Sequence, residues 1–139
     1  MLAKAREGLE VAGDLDDPLE QYAVLHLSAL RAAAAVLAAM GRPERIPGRR
    51  PRIRSAWEML PELAPELAEF AEYFAAAAPK RARAEAGIAE AVNAHDVADL
   101  RRVTTLFLRQ VATLEAVKES LATRDTSSGN GTASMPRSS

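Results

Sequence analysis

The sequence contains no cysteine and few aromatic residues. None of its 139 residues is Cys, and Phe, Trp and Tyr together make up 4%. The lack of cysteine excludes disulfide bonds, thiolate metal sites and cysteine nucleophiles, and it fits a reducing compartment. The two histidines, His26 and His95, are far apart in the chain. This is a poor basis for a zinc site, and we expect neither a metal nor another cofactor.

The sequence also lacks an excess of one charge and a long apolar run. Its formal net charge is −1, so the overall field favours neither nucleic acid nor an anionic membrane. The longest apolar stretch, residues 32–40, is about half of the roughly 20 residues that a membrane span needs. Residues 1–8 already carry charge, unlike a signal peptide. We therefore expect a cytoplasmic protein with no membrane partner.

Helix-forming residues dominate what is present. Apolar residues make up 48% of the chain, and many of them are alanine, which has the highest intrinsic helix propensity. Apolar positions recur at helical spacing in five segments, and nothing indicates a strand. The predicted helices are residues 2–12, 18–40, 55–63, 65–78 and 93–123. The fold class is therefore all-α, an up-and-down bundle of four or five helices.

Local signals set the predicted helix boundaries. Pro18 suits the first turn of the long helix, and Gly41 ends that helix. Ser55 with Glu58 forms a capping box, and a similar start occurs at residues 93–96. Pro79 is expected to break the fourth helix, because an internal proline removes a backbone hydrogen bond. Residues 80–88 then form a short basic helix or turn.

The two ends of the chain differ in what they can bury. Residues 1–123 contain the apolar stripes of the bundle and form the predicted domain. Residues 124–139 are mostly Ser, Thr, Gly and Asn, with almost nothing to bury, and ordering them costs conformational entropy. We therefore predict a disordered tail over residues 124–139.

The most basic segment of the chain is residues 41–54. Its three prolines and two glycines exclude regular structure, so it is a loop. Guanidinium groups match phosphate geometry, which makes the loop a candidate binding site for RNA, DNA or a nucleotide. A solvated loop, or one that pairs with the acidic face at residues 58–72 or with a partner, is the alternative. The candidate anion-binding residues are Arg42, Arg45, Arg49, Arg50, Arg52, Arg54, Lys80, Arg81 and Arg83.

The histidines are the other candidates for chemistry. His26 lies on the apolar stripe of the long helix, where a histidine with one hydrogen bond in the core is expected. His95 follows the start of the last helix and is expected to be exposed. A general base needs a positioned partner, and no nucleophile or acid is evident beside either residue. We therefore assign no catalytic residue.

The order of these segments resembles the HEPN domain. The resemblance covers residues 2–122 and rests on the long helix at 22–38, the basic proline-rich loop, and the segments at 55–60 and 65–71. Residues 80–87 and a final helix through 99–102 complete it. The chain looks similar to a small actinobacterial branch of this family. The resemblance implies a helical bundle that often dimerises through its helices.

The resemblance also makes a catalytic motif testable in the sequence. Catalytic HEPN proteins are metal-independent ribonucleases that carry an arginine, four to six other residues and then a histidine. The residues at those distances are Leu19, Glu20 and Gln21 before His26, and Ile88, Ala89 and Glu90 before His95. None of them is arginine. We expect a non-catalytic interaction module that forms a homodimer or binds a protein partner.

Two alternatives remain. One is a protein that binds RNA or a nucleotide through the arginines of residues 42–54. The other is a ribonuclease with displaced residues, which needs an arginine brought to His26 or His95 by folding.

Overall fold

In the computed structural model of the chain, the described residues form five α-helices that pack as a bundle. The structure describes residues 2–40 and 55–134, with side chains up to residue 123. The helices are α1 (Leu2–Asp14), α2 (Pro18–Met40), α3 (Ala56–Leu63), α4 (Ala68–Glu85) and α5 (Ala94–Ser134), and a 3-10 turn (Pro65–Leu67) precedes α4. No strand occurs in these two ranges. The predicted all-α fold class is confirmed.

The long helix α2 is the centre of the bundle. It contacts α1, α3, α4 and α5. Ser28 of α2 donates a hydrogen bond to the Ala5 carbonyl, and Gln21 reaches the Ala12 carbonyl, so α1 runs antiparallel to α2. At the other end of α2, Lys118 of α5 donates to the Ala39 carbonyl. The bundle is therefore built around α2, which contacts each of the other four described helices.

By length and composition, α2 is the one helix in the described ranges that is apolar enough to cross a membrane. Its buried residues include His26 and Ser28, which hydrogen-bond to neighbouring helices. The core helix of a soluble protein has the same composition, and these contacts agree with that role.

The core combines many small residues with one aromatic group. The rings of Trp57 and Phe74 stack with centroids 5.1 Å apart, and Phe107 lies 5.2 Å from Phe74. Alanine supplies many of the other buried positions, where it allows helices to approach closely. The buried alanines are Ala5, Ala12, Ala29, Ala32, Ala33, Ala35, Ala64, Ala71, Ala77 and Ala84.

The predicted starts of α2, α3 and α5 are confirmed by their capping bonds. Asp17 accepts a hydrogen bond from the backbone N–H of Leu19 at 3.0 Å, which satisfies a free donor at the start of α2. Ser55 and Glu58 form the reciprocal capping box of α3. At the start of α5, the side chain of Asn93 accepts from the Asp96 N–H at 2.8 Å, and the Asp96 carboxylate accepts from the Asn93 N–H at 3.0 Å.

The prediction that Pro79 breaks the fourth helix is wrong. α4 continues through Pro79 to Glu85, and the chain turns at Gly87, whose φ is +78°. Proline at position 79 removes the hydrogen bond to the carbonyl four residues earlier. Ala77 before Pro79 and Ala84 after it are both buried, and Lys80 and Arg81 make polar contacts with α5 and α2.

The last helix differs from its prediction in length and in burial. Along its predicted apolar stripe, the positions up to Val111 are buried, but Val117 and Leu121 are 51% and 57% exposed. The reason is that α2 ends at Met40, beside Lys118, and does not cover the later turns. α5 also continues past the predicted end at residue 123 to Ser134. A helix satisfies its own backbone hydrogen bonds without burial, so a polar composition does not by itself exclude a helix. Disorder in residues 124–139 stays a prediction.

Candidate functional site at the junction of α2, α4 and α5

Polar side chains from three helices meet beside the aromatic core. α2 contributes two of them, α4 contributes Tyr73 from its second turn and three residues from its last turns, and the first turns of α5 contribute the rest. We call this group the junction cluster. It consists of Tyr22, His26, Tyr73, Lys80, Arg81, Glu85, Asp96 and Asp99.

His26 is the buried centre of the cluster. It is 1% exposed, its Nε2 lies 2.9 Å from the Phe74 carbonyl oxygen, and its Nδ1 lies 3.3 Å from Nη1 of Arg81. A carbonyl oxygen accepts and a guanidinium donates, so the neutral imidazole with its hydrogen on Nε2 satisfies both contacts. The predicted core position of His26 is confirmed. Its second partner, Arg81, lies far away in the sequence and was not predicted.

Several causes act on the pKa of His26. Burial lowers it most strongly, because the protonated ring loses its hydration. The Phe74 carbonyl and the Glu85 carboxylate raise the pKa, whereas the positive charge of Arg81 lowers it. The net result is a pKa below the ordinary value of 6.5, which keeps His26 neutral at neutral pH.

The contact between Arg81 and His26 bears on the ribonuclease alternative. Folding does bring an arginine to a histidine, as that alternative requires. Both ring nitrogens of His26 are engaged, however, and Trp57 and Phe74 pack edge-on against the ring. A general base must reach the proton that it removes. The observed geometry therefore suits a histidine that joins α2 to α4.

Two of the three described candidate anion ligands are engaged with carboxylates. Lys80 Nζ lies 3.1 Å from Asp96 Oδ1, and Arg81 Nε lies 3.3 Å from Glu85 Oε2. Arg83 is exposed and has no ion pair within the described residues. The neighbouring carboxylates weaken the positive field that a phosphate requires.

The other six candidates, Arg42, Arg45, Arg49, Arg50, Arg52 and Arg54, lie outside the described residues. Their segment begins after Met40. Along the axis of α2, Met40 lies about 21 Å from His26, at a rise of 1.5 Å per residue. It ends before Ser55, two residues from Trp57, whose ring centroid is 5.9 Å from that of His26. Phosphate binding by these arginines stays a prediction.

A second polar chain joins α4 to α5. The Tyr73 hydroxyl donates to Asp99 Oδ2 at 2.7 Å, and Arg102 donates to Asp99 Oδ1 at 2.8 Å. Burial raises the pKa of Tyr73, and the hydrogen bond to Asp99 raises it further. That bond also lowers the pKa of Asp99. For Tyr22, burial raises the pKa, as do the charges of nearby Asp96 and Asp99. Both phenols therefore stay protonated at neutral pH.

No metal site accompanies these groups. Within the described side chains, no three His, Asp or Glu residues are placed to hold an ion. The predicted acidic face is exposed, at Glu62, Glu66, Glu69 and Glu72. His95 is exposed as well, as predicted.

Large apolar side chains are exposed along one side of α5. Leu106, Val117 and Leu121 are 42%, 51% and 57% exposed. Eleven residues make about three helical turns, so Leu106 and Val117 point the same way, and Leu121 follows one turn later. Gln110 and Thr113 lie between them and are exposed too. We call these five residues the α5 outer face.

A family model for the SAV_6107-like HEPN domain matches residues 12–112. The chain belongs to the HEPN superfamily. The match runs from the end of α1 through the first half of α5 and includes the whole junction cluster. Val117 and Leu121 lie beyond it, so the HEPN match covers part of the α5 outer face. No curated protein and no solved structure matches the chain.

Proposed function

We propose that this HEPN chain is a non-catalytic interaction module that acts through protein–protein contact and self-associates through the α5 outer face. The observation that carries the proposal is the exposure of Leu106, Val117 and Leu121 on one side of a single helix. Burying large apolar side chains is the main driving force of stable association. We place the protein in the cytoplasm, which is likewise a proposal.

The shape of the exposed face supports pairing with a second copy. The three side chains extend over about 22 Å of helix, at 1.5 Å per residue. A twofold axis across this face sets the same residues of two chains against each other, which is how most homodimers form. The uncharged Gln110 and Thr113 between them need no ion pair from the partner.

The absence of catalysis in this proposal is supported by the state of the junction cluster. His26 is buried, and Arg81 already binds His26 and Glu85. Neither group is available to a substrate in this arrangement. The sequence supports the same conclusion, because no arginine precedes either histidine with four to six residues between them.

Light scattering on the purified protein tests the proposal. Wild type is expected to have twice the mass of the chain, and the double variant V117E/L121E is expected to be monomeric, because it buries charge in the paired face. Val11 on α1 is 49% exposed, which makes V11E a matched control that stays dimeric. Circular dichroism checks that all three remain helical. A wild-type monomer at high concentration contradicts the proposal.

The alternative function is the binding of RNA or a nucleotide by the arginines of residues 42–54. Six arginines and one acidic residue in fourteen positions favour it. Fluorescence anisotropy with labelled single-stranded RNA, at low and moderate salt, is the test. Phosphate binding predicts an affinity that falls steeply with salt and is lost in R49E/R50E/R52E. Equal anisotropy with and without protein at low salt rejects this alternative.

A further inference from the structure

The end of α4 is joined to the rest of that helix at a weak point. Pro79 has no N–H, so one hydrogen bond of the helix is missing where residues 80–85 begin. Kinks in helices concentrate at such positions. Residues 80–85 can therefore move about Pro79 at lower cost than any turn in the first half of α4.

Few contacts hold this segment to the bundle. Ala84 is its one buried residue, at 5% exposure, and alanine buries little surface. The other attachments in the described residues are polar. Lys80 pairs with Asp96 on α5, and Arg81 donates to His26 on α2. Closure of the segment therefore depends mainly on two polar contacts.

The contact with His26 requires one protonation state. Neutral His26 uses its bare Nδ1 to accept from Arg81 while Nε2–H donates to Phe74. Protonation places a hydrogen on Nδ1 and turns this acceptor into a donor facing a guanidinium that has no acceptor. The hydrogen bond is then replaced by repulsion between two cations.

The other charged groups around His26 do not compensate. On α4, Glu85 is the nearest carboxylate, and it is paired with Arg81. On α5, Asp96 and Asp99 face Tyr22, and Arg83 of α4 acts on the same phenol. α3 presents the Trp57 ring to His26, and the charges that shift the pKa of the imidazole are those of Arg81 and Glu85 on α4.

We propose that residues 80–85 form an arm, hinged at Pro79, that is closed on neutral His26 and opens when His26 is protonated. Opening breaks the Arg81–His26 hydrogen bond and strains the Lys80–Asp96 pair. The arm is a conformational switch that responds to mild acid. It does not depend on self-association through α5.

The amide hydrogens at the end of the arm report its position. Ala86 N–H binds the Ala82 carbonyl, Gly87 N–H the Ala84 carbonyl, and Ile88 N–H the Arg83 carbonyl. All three acceptors belong to the arm, so these bonds break when its last turn frays. An arm released from the bundle frays more readily, and these amides then exchange with solvent faster. An open-state pKa near 6.5 and a lower closed-state pKa allow the open population to rise up to about tenfold between about pH 7.5 and about pH 5.5.

Hydrogen exchange corrected for the intrinsic pH effect tests the switch in the full chain. In wild type, the protection of residues 86–88 is expected to fall by more than about twofold, and by at most about tenfold, over this pH range. H26Q keeps a donor for Phe74 and an acceptor for Arg81 but cannot titrate, so its protection is expected to change less than about twofold. An equal fall in wild type and H26Q overturns the proposal, and so does a wild type without a fall.

Two variants of the arm keep the test decisive if H26Q does not fold. R81M removes the partner of His26, so residues 86–88 are expected to lose protection already at neutral pH, with a smaller further loss in acid. K80M is the matched control. It is expected to lower protection at both pH values and to preserve the ratio between them. A full wild-type pH response in R81M overturns the proposal.

Discussion

Replacing Gly8 by alanine is expected to destabilise the protein, although alanine is the better helix former. Gly8 lies in α1 where it crosses α2, and a Cβ there overlaps Oγ of Ser28 and lies 3.1 Å from Ser28 Cβ. Ser28 cannot turn away freely, because its buried hydroxyl donates to the Ala5 carbonyl. Either the helices separate or this hydrogen bond breaks.

The magnitude follows from these two costs and one gain. Overpacking costs about 1–3 kcal/mol, and leaving a buried polar group unpaired costs about 1–3 kcal/mol. The helix propensity of alanine over glycine returns about 1 kcal/mol. With both costs and the gain, we expect G8A to lower the free energy of unfolding by about 1–5 kcal/mol, compared with the 5–15 kcal/mol typical of a domain.

Urea denaturation followed by circular dichroism at 222 nm measures this loss. In G8A/S28A the hydroxyl is gone and the nearest obstacle is the Cβ of residue 28, so about half of the lost stability is expected to return. G13A is the control in the same helix. The nearest atom to a Cβ there is the end of the flexible Arg101 side chain, at 3.9 Å. Equal stabilities of G8A and G13A would refute the reasoning.

Two further predictions concern buried polar groups. The Oγ1 of Thr104 is fully buried and has no hydrogen bond to any described residue. T104V has nearly the same shape without this hydroxyl, so it is expected to raise the free energy of unfolding by about 1 kcal/mol in urea denaturation. A destabilised T104V would show that the hydroxyl has an unrecognised partner. The pKa of His26 is lower in the folded protein than the unfolded value of about 6.5, so the unfolded state takes up the proton first. The free energy of unfolding therefore falls as the pH drops below about 6.5, by up to about 1.4 kcal/mol per pH unit. The fall ends once the pH passes below the folded pKa. H26Q is expected to remove this dependence and H95Q to keep it, and the same slope in H26Q and wild type would contradict the assignment.

Local signals in the sequence predicted the parts of the fold that depend on neighbouring residues. Ser55 with Glu58, and Asn93 with Asp96, satisfy each other's backbone donors within one turn, so their capping bonds are visible in the sequence. The family assignment also came from the order of these segments and agrees with the HEPN match.

Features that depend on tertiary contacts were not predictable in the same way. Pro79 satisfies the local rule for a helix end, but α4 continues through it, and the residues after it make tertiary contacts through Lys80 and Arg81. The partner of His26 could not be found from spacing, because Arg81 belongs to another helix. Likewise, Val117 continues the apolar stripe of α5, and it is exposed because α2 ends beside Lys118. The positive charge of Lys80 and Arg81 is evident from the sequence. Their pairing with carboxylates was not predicted from it.

The many alanines of the core determine how this protein should be mapped by mutation. A conventional alanine scan leaves Ala29, Ala32 and Ala33 unchanged, although all three are fully buried in α2. Such a scan would therefore report little sensitivity along the helix that contacts every other helix of the bundle. Substitution by valine or leucine tests the same positions by adding volume where no space exists. For this bundle, enlargement is the informative perturbation, and damaging variants are expected to be those that insert atoms between helices.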